Sequence, residues 1–312
     1  MSPSAPSASP LAPSERSSPL NPRPFRPVLS AVLVNYNAGD ELRRALQSIA
    51  DEMQGQPWEA VVVDNASIDG SQAIVAEFVP LVSMIANAEN VGFARAVNQG
   101  LAATSAPRVL IMNPDCRLVA GAVAALGAEL DQHEFCAIAG PRILNPDGSV
   151  QGSARGDPDM LTGLFGRTAL LGRLMPRSGI SRRNVVSEAA IRSGHPSVVV
   201  DWLSGACILA RRDALAKMKG FDERYFLYWE DADLCRRLRA AGYHVRYVPG
   251  ATAIHRVGYS SRTARAAAVR AFHASAYLYY TTHNAPHRLQ PKRALARMIL
   301  AGRQWWQLRG RA

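Results

Sequence analysis

The chain has 312 residues, 48% of them hydrophobic, and a formal net charge of +11. That length supports a sizeable core in one large domain or two small ones. No run of eighteen apolar residues occurs, so no membrane-spanning helix is expected, and the start lacks the charged-then-apolar pattern of a signal peptide.

The charge is uneven. Eleven of the 36 Lys/Arg and none of the 25 Asp/Glu lie from His255 onward, so the body is balanced and the C-terminal end holds the whole excess. Such an end suits an anionic membrane surface, a diphosphate-bearing acceptor or nucleic acid. The four cysteines, Cys116, Cys136, Cys207 and Cys235, have no metal-finger spacing. They read as buried free thiols of a reducing compartment.

Residues 1–27 are mostly Pro, Ser and Ala and read as a disordered leader. Strands and helices then alternate. "VLSAVLVN" (28–35) is a buried strand, and "DELRRALQSI" places Leu42, Ala45, Leu46 and Ile49 on one helix face. "WEAVVVD" (58–64) is a second strand, "SQAIVAEF" a short helix and "VSMIA" a third strand. "GFARAVNQGLAAT" is a helix of small residues able to pack close. "RVLIMN" (108–113), a helix in "AGAVAALGAEL" and the strand "CAIAG" (136–140) follow. Apolar strands separated by helices imply an α/β fold with a mostly parallel sheet covered on both faces.

"NPDGS" is a turn, and residues 145–196 read as an insertion that shapes a pocket. Strands resume at "VVVDWLSGACILARRDAL", with a helix starting at Asp213. A helix through "EDADLCRRL" should end at Gly242, before a last strand in "YHVRYVP". From about residue 263 the chain reads as a basic helical extension, 263–312, beyond a domain at 28–262.

Ligands of open parallel sheets bind beyond the carboxyl ends of the strands. Four polar loops fall there: "NYN" (Asn35, Tyr36, Asn37), "DNASIDGS" with Asp64 and Asn65, "NAENVGFARAVNQG" with Asn90, Gly92 and Arg95, and "NPDC" with Asn113 and Asp115. Each alone could be an ordinary turn. Asp64, after four apolar residues, should face the crevice, where a carboxylate suits ribose hydroxyls or a base N–H. No G-x-x-x-x-G-K-[ST] and no G-x-G-x-x-G is present. A divalent cation, Mg²⁺ or Mn²⁺, is then the candidate for meeting diphosphate charge. Asp115 is the first ligand candidate, although Asn-Pro-Asp is also a plain turn; His255 is the second.

"FLYWEDADLC" sets Glu230 and Asp231 directly after aromatics. Acids at a helix start are favourable in themselves, by under about 1 kcal/mol. That does not explain Tyr228 and Trp229, which look like a sugar-stacking platform beside a general base.

Together, "VNYN", "VVVDNASIDGS", "NVGFARAVNQG", "MNPDC", "WLSGACILARRDAL", "GFDERYFLYWEDADLCRRLRAAGY" and "AIHRVGYSS" resemble, in order, the family 2 glycosyltransferases of the GT-A fold. The resemblance covers about residues 28–259 and is greatest to the rhamnosyltransferase subset, with galactofuranosyltransferases as close relatives. It implies Asp231 as catalytic base. It implies donor contacts at Asn35, Tyr36, Asn37, Asp64, Asn65, Asn90, Gly92, Arg95 and Asn113. It implies acceptor contacts at Trp202, Gly205, Trp229 and Glu230. Asp115 and His255 would hold the metal, with Asn113 standing where the D-x-D element has its first Asp. The implied reaction is inverting sugar transfer, favouring dTDP-L-rhamnose, onto a saccharide or lipid-linked saccharide for surface polysaccharide. A UDP-sugar-dependent hexosyl- or galactofuranosyltransferase is the alternative. The implied location is the cytoplasm, with peripheral contact at the inner face of the plasma membrane.

Two rivals fit less well. A nucleotidyltransferase should carry a basic Gly-rich loop after the first strand, and "NYNAGD" has no Lys or Arg. A nucleic-acid-binding protein should line a recognisable element with its charge, and the body here is neutral. The basic end instead reads either as solvated arginines or as an interfacial helix with Met298, Ile299, Trp305 and Trp306 toward lipid.

Overall fold

The computed structural model describes residues 26–157, 194–256, 265–287 and 289–309. The expected leader, most of the 145–196 insertion and residues 257–264 lie outside these. Strand β1 (Leu29–Asn35) is buried along its length. Its side chains alternate between two cores: Ala31 and Leu33 enter one, Val32 and Val34 the other. Helix α1 (Asp40–Glu52) buries Leu42, Ala45, Leu46 and Ile49, the face expected from the spacing. β2 (Trp58–Asp64) pairs parallel with β1 and β3 (Val82–Ala86) parallel with β2. Between β2 and β3, Ser71–Phe78 forms a 3₁₀ helix.

Helix α2 (Phe93–Ala102) lies close on the sheet because Gly100 has no side chain; a Cβ there would stand 2.4 Å from Val32 Cγ1. β4 (Arg108–Met112) pairs parallel with β1. β5 (Cys116–Leu118), α3 (Ala122–Gln132) and β6 (Cys136–Leu144) follow, β6 running four residues beyond the apolar stretch that marked it. Short strands β7 (Ala154–Arg155), β8 (Val198–Val199) and β9 (Trp202–Leu203) lead to β10 (Cys207–Arg211) and α4 (Arg212–Lys217).

The main sheet runs β3-β2-β1-β4-β10-β6-β11-β5, with β8 paired to β11. Its first four strands are parallel, as expected. Beyond them it is mixed, because β10 runs antiparallel to both β4 and β6. Helices α1 and α3 cover one face; α2, α4 and α5 (Glu230–Ala240) cover the other. After α5, Gly242 takes φ 87°, the left-handed turn that ends the helix. β11 runs from His244 to His255, longer than its sequence signal, with an irregularity between Val248 and Thr252.

Among the described residues three further pieces follow: α6 (Arg265–Tyr279), a π-helical turn (Tyr280–Asn284) and α7 (Pro291–Arg309). They are not a loose appendage. Trp229 packs into the cluster that joins α6 to α7, and Tyr225, Ala232 and Tyr279 share another.

Candidate active site at the carboxyl edge of the sheet

In-register pairing sets Asn35, at the end of β1, beside Asp64, at the end of β2. Both are fully buried. Asn35 Nδ2 donates to Asp64 Oδ1 (2.7 Å) and lies 2.8 Å from Ser71 Oγ. Asp64 Oδ2 accepts from Ser67 N (3.0 Å) and Gln72 Nε2 (2.5 Å). Asp64 therefore does not project into an open crevice as expected. It holds the 64–72 loop together, while Asn35 Oδ1 is left buried without a partner. Asn37, in the left-handed region at φ 52°, accepts from Ile68 N through its Oδ1. Tyr36 is half-buried beside it.

The second polar loop is tied to the first. Asn65 Nδ2 donates to Asn90 Oδ1 (3.2 Å), and Gly92 N donates to the same oxygen (3.0 Å). Arg95 is exposed on the first turn of α2.

Asp115 and His255 meet across the β5–β11 pairing, where His255 sits opposite Cys116. His255 Nε2 lies 3.2 Å from Asp115 Oδ1 and 3.4 Å from Asn113 Nδ2. Its Nδ1 lies 3.1 Å from Gln151 Oε1. Gln151 Nε2 donates to His255 O and Asn145 Oδ1, which fixes the amide with its oxygen toward the ring. A proton on Nδ1 then leaves the Nε2 lone pair facing a carboxylate. A cation placed between them would be held by both. The 3.2 Å separation is close to the ~3 Å edge of an octahedron around a Mg²⁺-sized ion. Among the described residues no third His, Cys, Asp or Glu joins the pair.

The loop before α5 is built under strain. Tyr228 (φ 67°) and Trp229 (φ 72°) are consecutive non-glycine residues in the left-handed region, at a cost of roughly 1–2 kcal/mol each. Packing at three points offsets it. Phe93 N donates to Phe226 O (2.7 Å) from the start of α2. Ser275 Oγ donates to Leu227 O (2.9 Å) from α6. The Phe272 ring lies 5.8 Å from both Tyr228 and Trp229, and Tyr279 lies 5.3 Å from Trp229. The aromatics expected as an open stacking platform thus pack against the C-terminal helices.

That loop delivers Asp231 to the first turn of α5. Asp231 Oδ2 accepts from Gly205 N (2.8 Å) and Oδ1 from Ala232 N (2.8 Å), so the carboxylate is oriented by backbone from two elements. Gly205, expected among acceptor contacts, holds the Asp231 carboxylate through its N–H; a Cβ on it would stand 3.3 Å from Asp231 Cβ. Glu230 is only 5% exposed, and its Oε2 has no partner. Desolvation, reinforced by the Asp231 charge, holds its carboxyl well above its ordinary value and favours the neutral acid. Adjacent carboxyls in unlike environments are how one site keeps both a base and a proton donor. The indole N–H groups of Trp202 and Trp229 are also buried without partners, and the Arg155 guanidinium lies 5.4 Å over the Trp202 ring.

Asp233 of the same helix is tied down twice, by Arg237 Nε (2.7 Å) and by His283 Nε2 (2.7 Å) in the π-helical turn. Sequence reasoning missed Gln151, Phe272, Ser275 and His283. Each acts on a residue 44 or more positions away, and no local pattern marks such a pair.

Residues 30–181 match the model of glycosyl transferase family 2, and residues 180–301 match that of glycosyl transferase family group 2. The chain is 33% identical, over 90% of its length and 93% of the relative's, to the N-acetylglucosaminyl-diphospho-decaprenol L-rhamnosyltransferase of Mycobacterium tuberculosis. It is 38% identical over 85 residues, 27% of this chain and 31% of the relative, to the rhamnosyltransferase WbbL of Escherichia coli. Its fold resembles GalNAc-T7 with UDP, GalNAc and Mn²⁺ (TM-score 0.58, 14% identity, 90% of this chain, 56% of that one). It also resembles the mannosyltransferase PcManGT from Pyrobaculum calidifontis with GDP-Man and Mn²⁺ (TM-score 0.52, 19% identity, 93% of this chain, 77% of that one). The chain belongs to glycosyltransferase family 2: it is an enzyme on a GT-A-like α/β fold, similar along nearly its whole length to a rhamnosyltransferase.

Proposed function

We propose that this protein is an inverting glycosyltransferase that moves L-rhamnose from dTDP-L-rhamnose to a hydroxyl of a lipid-diphosphate-linked saccharide, on the cytoplasmic side, for surface polysaccharide. The observation that carries the reading is the Asp231 carboxylate, oriented by Gly205 N and Ala232 N beside a buried Glu230 whose Oε2 has no partner. Asp231 takes the proton of the acceptor hydroxyl. The freed oxygen attacks the anomeric carbon opposite the diphosphate, and the sugar inverts. Glu230, as the neutral acid, donates to an oxygen of the acceptor sugar and orients it. The choice of rhamnose and of a lipid-linked acceptor draws support from the mycobacterial relative.

The donor lies across the strand ends, against the backbone of the 64–72 and 90–93 loops. Asp64 and Asn65 shape those loops, while the exposed Arg95 is left for the ligand. Asp115 and His255 would hold a divalent cation, with Gln151 orienting the imidazole. When bound, the cation offsets charge on the leaving diphosphate.

Thermal melting with dTDP, UDP and GDP, with and without Mn²⁺ or Mg²⁺, tests the reading. A metal-dependent preference for dTDP, lost in Asp115→Asn and His255→Ala, is expected. A preference for UDP would replace rhamnose by a hexose or galactofuranose, and no shift with any nucleotide would overturn the donor site.

A further inference from the structure

Helix α7 has two working faces. Ala296 and Leu300 are buried against the rest of the chain in the cluster that also holds Trp229. Ile299, expected to face outward, packs against this cluster too. At 100° per residue, Leu295, Met298, Trp305 and Trp306 fall within an arc of about 100° on the opposite side. They are 45%, 68%, 56% and 65% exposed. Exposed aromatic and aliphatic side chains gathered on one helix face mark a contact surface rather than solvated helix.

The chemistry beside that face selects its occupant. At the same spacing Lys292 lies about 40° beyond one edge of the apolar arc, and Arg309 falls within it, its guanidinium 4.3 Å over the Trp305 ring. An open groove of about 500 Å³, with Arg293 and Arg297 on its wall, adjoins the face. No acidic residue occurs from His255 onward. Trp suits the boundary between headgroup and acyl chain, and cations beside it suit anionic headgroups. No helix among the described residues is long and apolar enough to cross a membrane, so the contact is one of lying on a bilayer.

We infer that α7 docks in the plane of an anionic lipid bilayer through Leu295, Met298, Trp305 and Trp306, with the flanking cations on the headgroups. Because the inner side of the same helix packs with Trp229, docking brings the loop that carries Asp231 toward the membrane surface. Docking gains its purpose from the lipid-linked acceptor reading above, but it stands on α7 alone.

The test is co-sedimentation of the full-length protein with vesicles of phosphatidylcholine and phosphatidylglycerol at about 3:1, against phosphatidylcholine alone. Wild type should pellet with the anionic vesicles only, and added salt should release it. The W305S/W306S double variant should bind at least about tenfold more weakly, and Arg297→Gln about fivefold more weakly. Both should keep the wild-type melting temperature and nucleotide response. Unchanged sedimentation of W305S/W306S would overturn the proposal. So would duplex DNA binding that outcompetes the vesicles, or a dimer that W305S/W306S turns into monomer without vesicle binding. Vesicle binding is read without donor or acceptor, so a failed nucleotide response would strike the proposed reaction and leave docking standing.

Discussion

Gly92 joins the 90–93 loop to the loop before α5, and replacing it by alanine tests that joint. At φ 88° and ψ 169° it occupies a region essentially reserved for glycine, and alanine there costs about 1–3 kcal/mol. The new Cβ would stand 2.6 Å from Phe226 O, 2.8 Å from Phe226 Cδ2 and 3.1 Å from Phe226 Cα. Two of these are backbone atoms, so no rotamer change relieves the clash, and overpacking adds about 1–3 kcal/mol. Gly70 is the control. It has φ 79° and ψ 1°, with no atom near a Cβ, so Gly70→Ala should cost only about 1–2 kcal/mol. Urea midpoints should therefore separate the two variants. Activity should separate them further. Moving Phe226 drags the strained Tyr228–Trp229 pair and the start of α5. A shift of about 1 Å at Asp231 is expected to cost on the order of 100-fold in kcat. Equal losses of stability and rate in Gly92→Ala and Gly70→Ala would refute the coupling.

Asp231→Asn should lower kcat by about 10²–10⁴ while the melting response to nucleotide persists; turnover near wild type would remove Asp231 as base. Glu230→Gln is read through pH. Above the ordinary value of 4.5 the unfolded chain ionises Glu230 while the fold holds it neutral, so wild type loses stability as pH rises from there through the raised folded value. Gln escapes that loss, so the midpoint of the variant minus that of wild type should climb with pH, and a flat difference from pH 5 to 9 would sink the assignment. Phe272→Ala removes the ring contacts with Tyr228 and Trp229, worth about 1–3 kcal/mol together, from outside the α/β sheet. It should lower kcat and leave nucleotide affinity alone, whereas unchanged kcat would mean that the C-terminal helices do not position the base.

Much of this protein is local in origin. The face Leu42, Ala45, Leu46 and Ile49 follows from helical spacing alone, and the β1, β2 and β4 runs from β-branched residues buried on both sides. Asp115 and His255 were legible because each sits where a strand meets its loop, and parallel pairing gathers strand ends at one edge. Asp231 was legible as an acid at a helix start. What the sequence could not determine is whatever depends on which elements lie against each other. Asp64 reads as facing the crevice because it ends a strand, yet neighbouring donors enclose it. Tyr228 and Trp229 read as a platform because they precede acids, yet Phe272 and Tyr279 cover them. The antiparallel insertion of β10 between β4 and β6 has no local signature, since strand direction leaves side-chain alternation unchanged. Periodicity records which face of an element is dry; only the tertiary structure decides which partner keeps it dry.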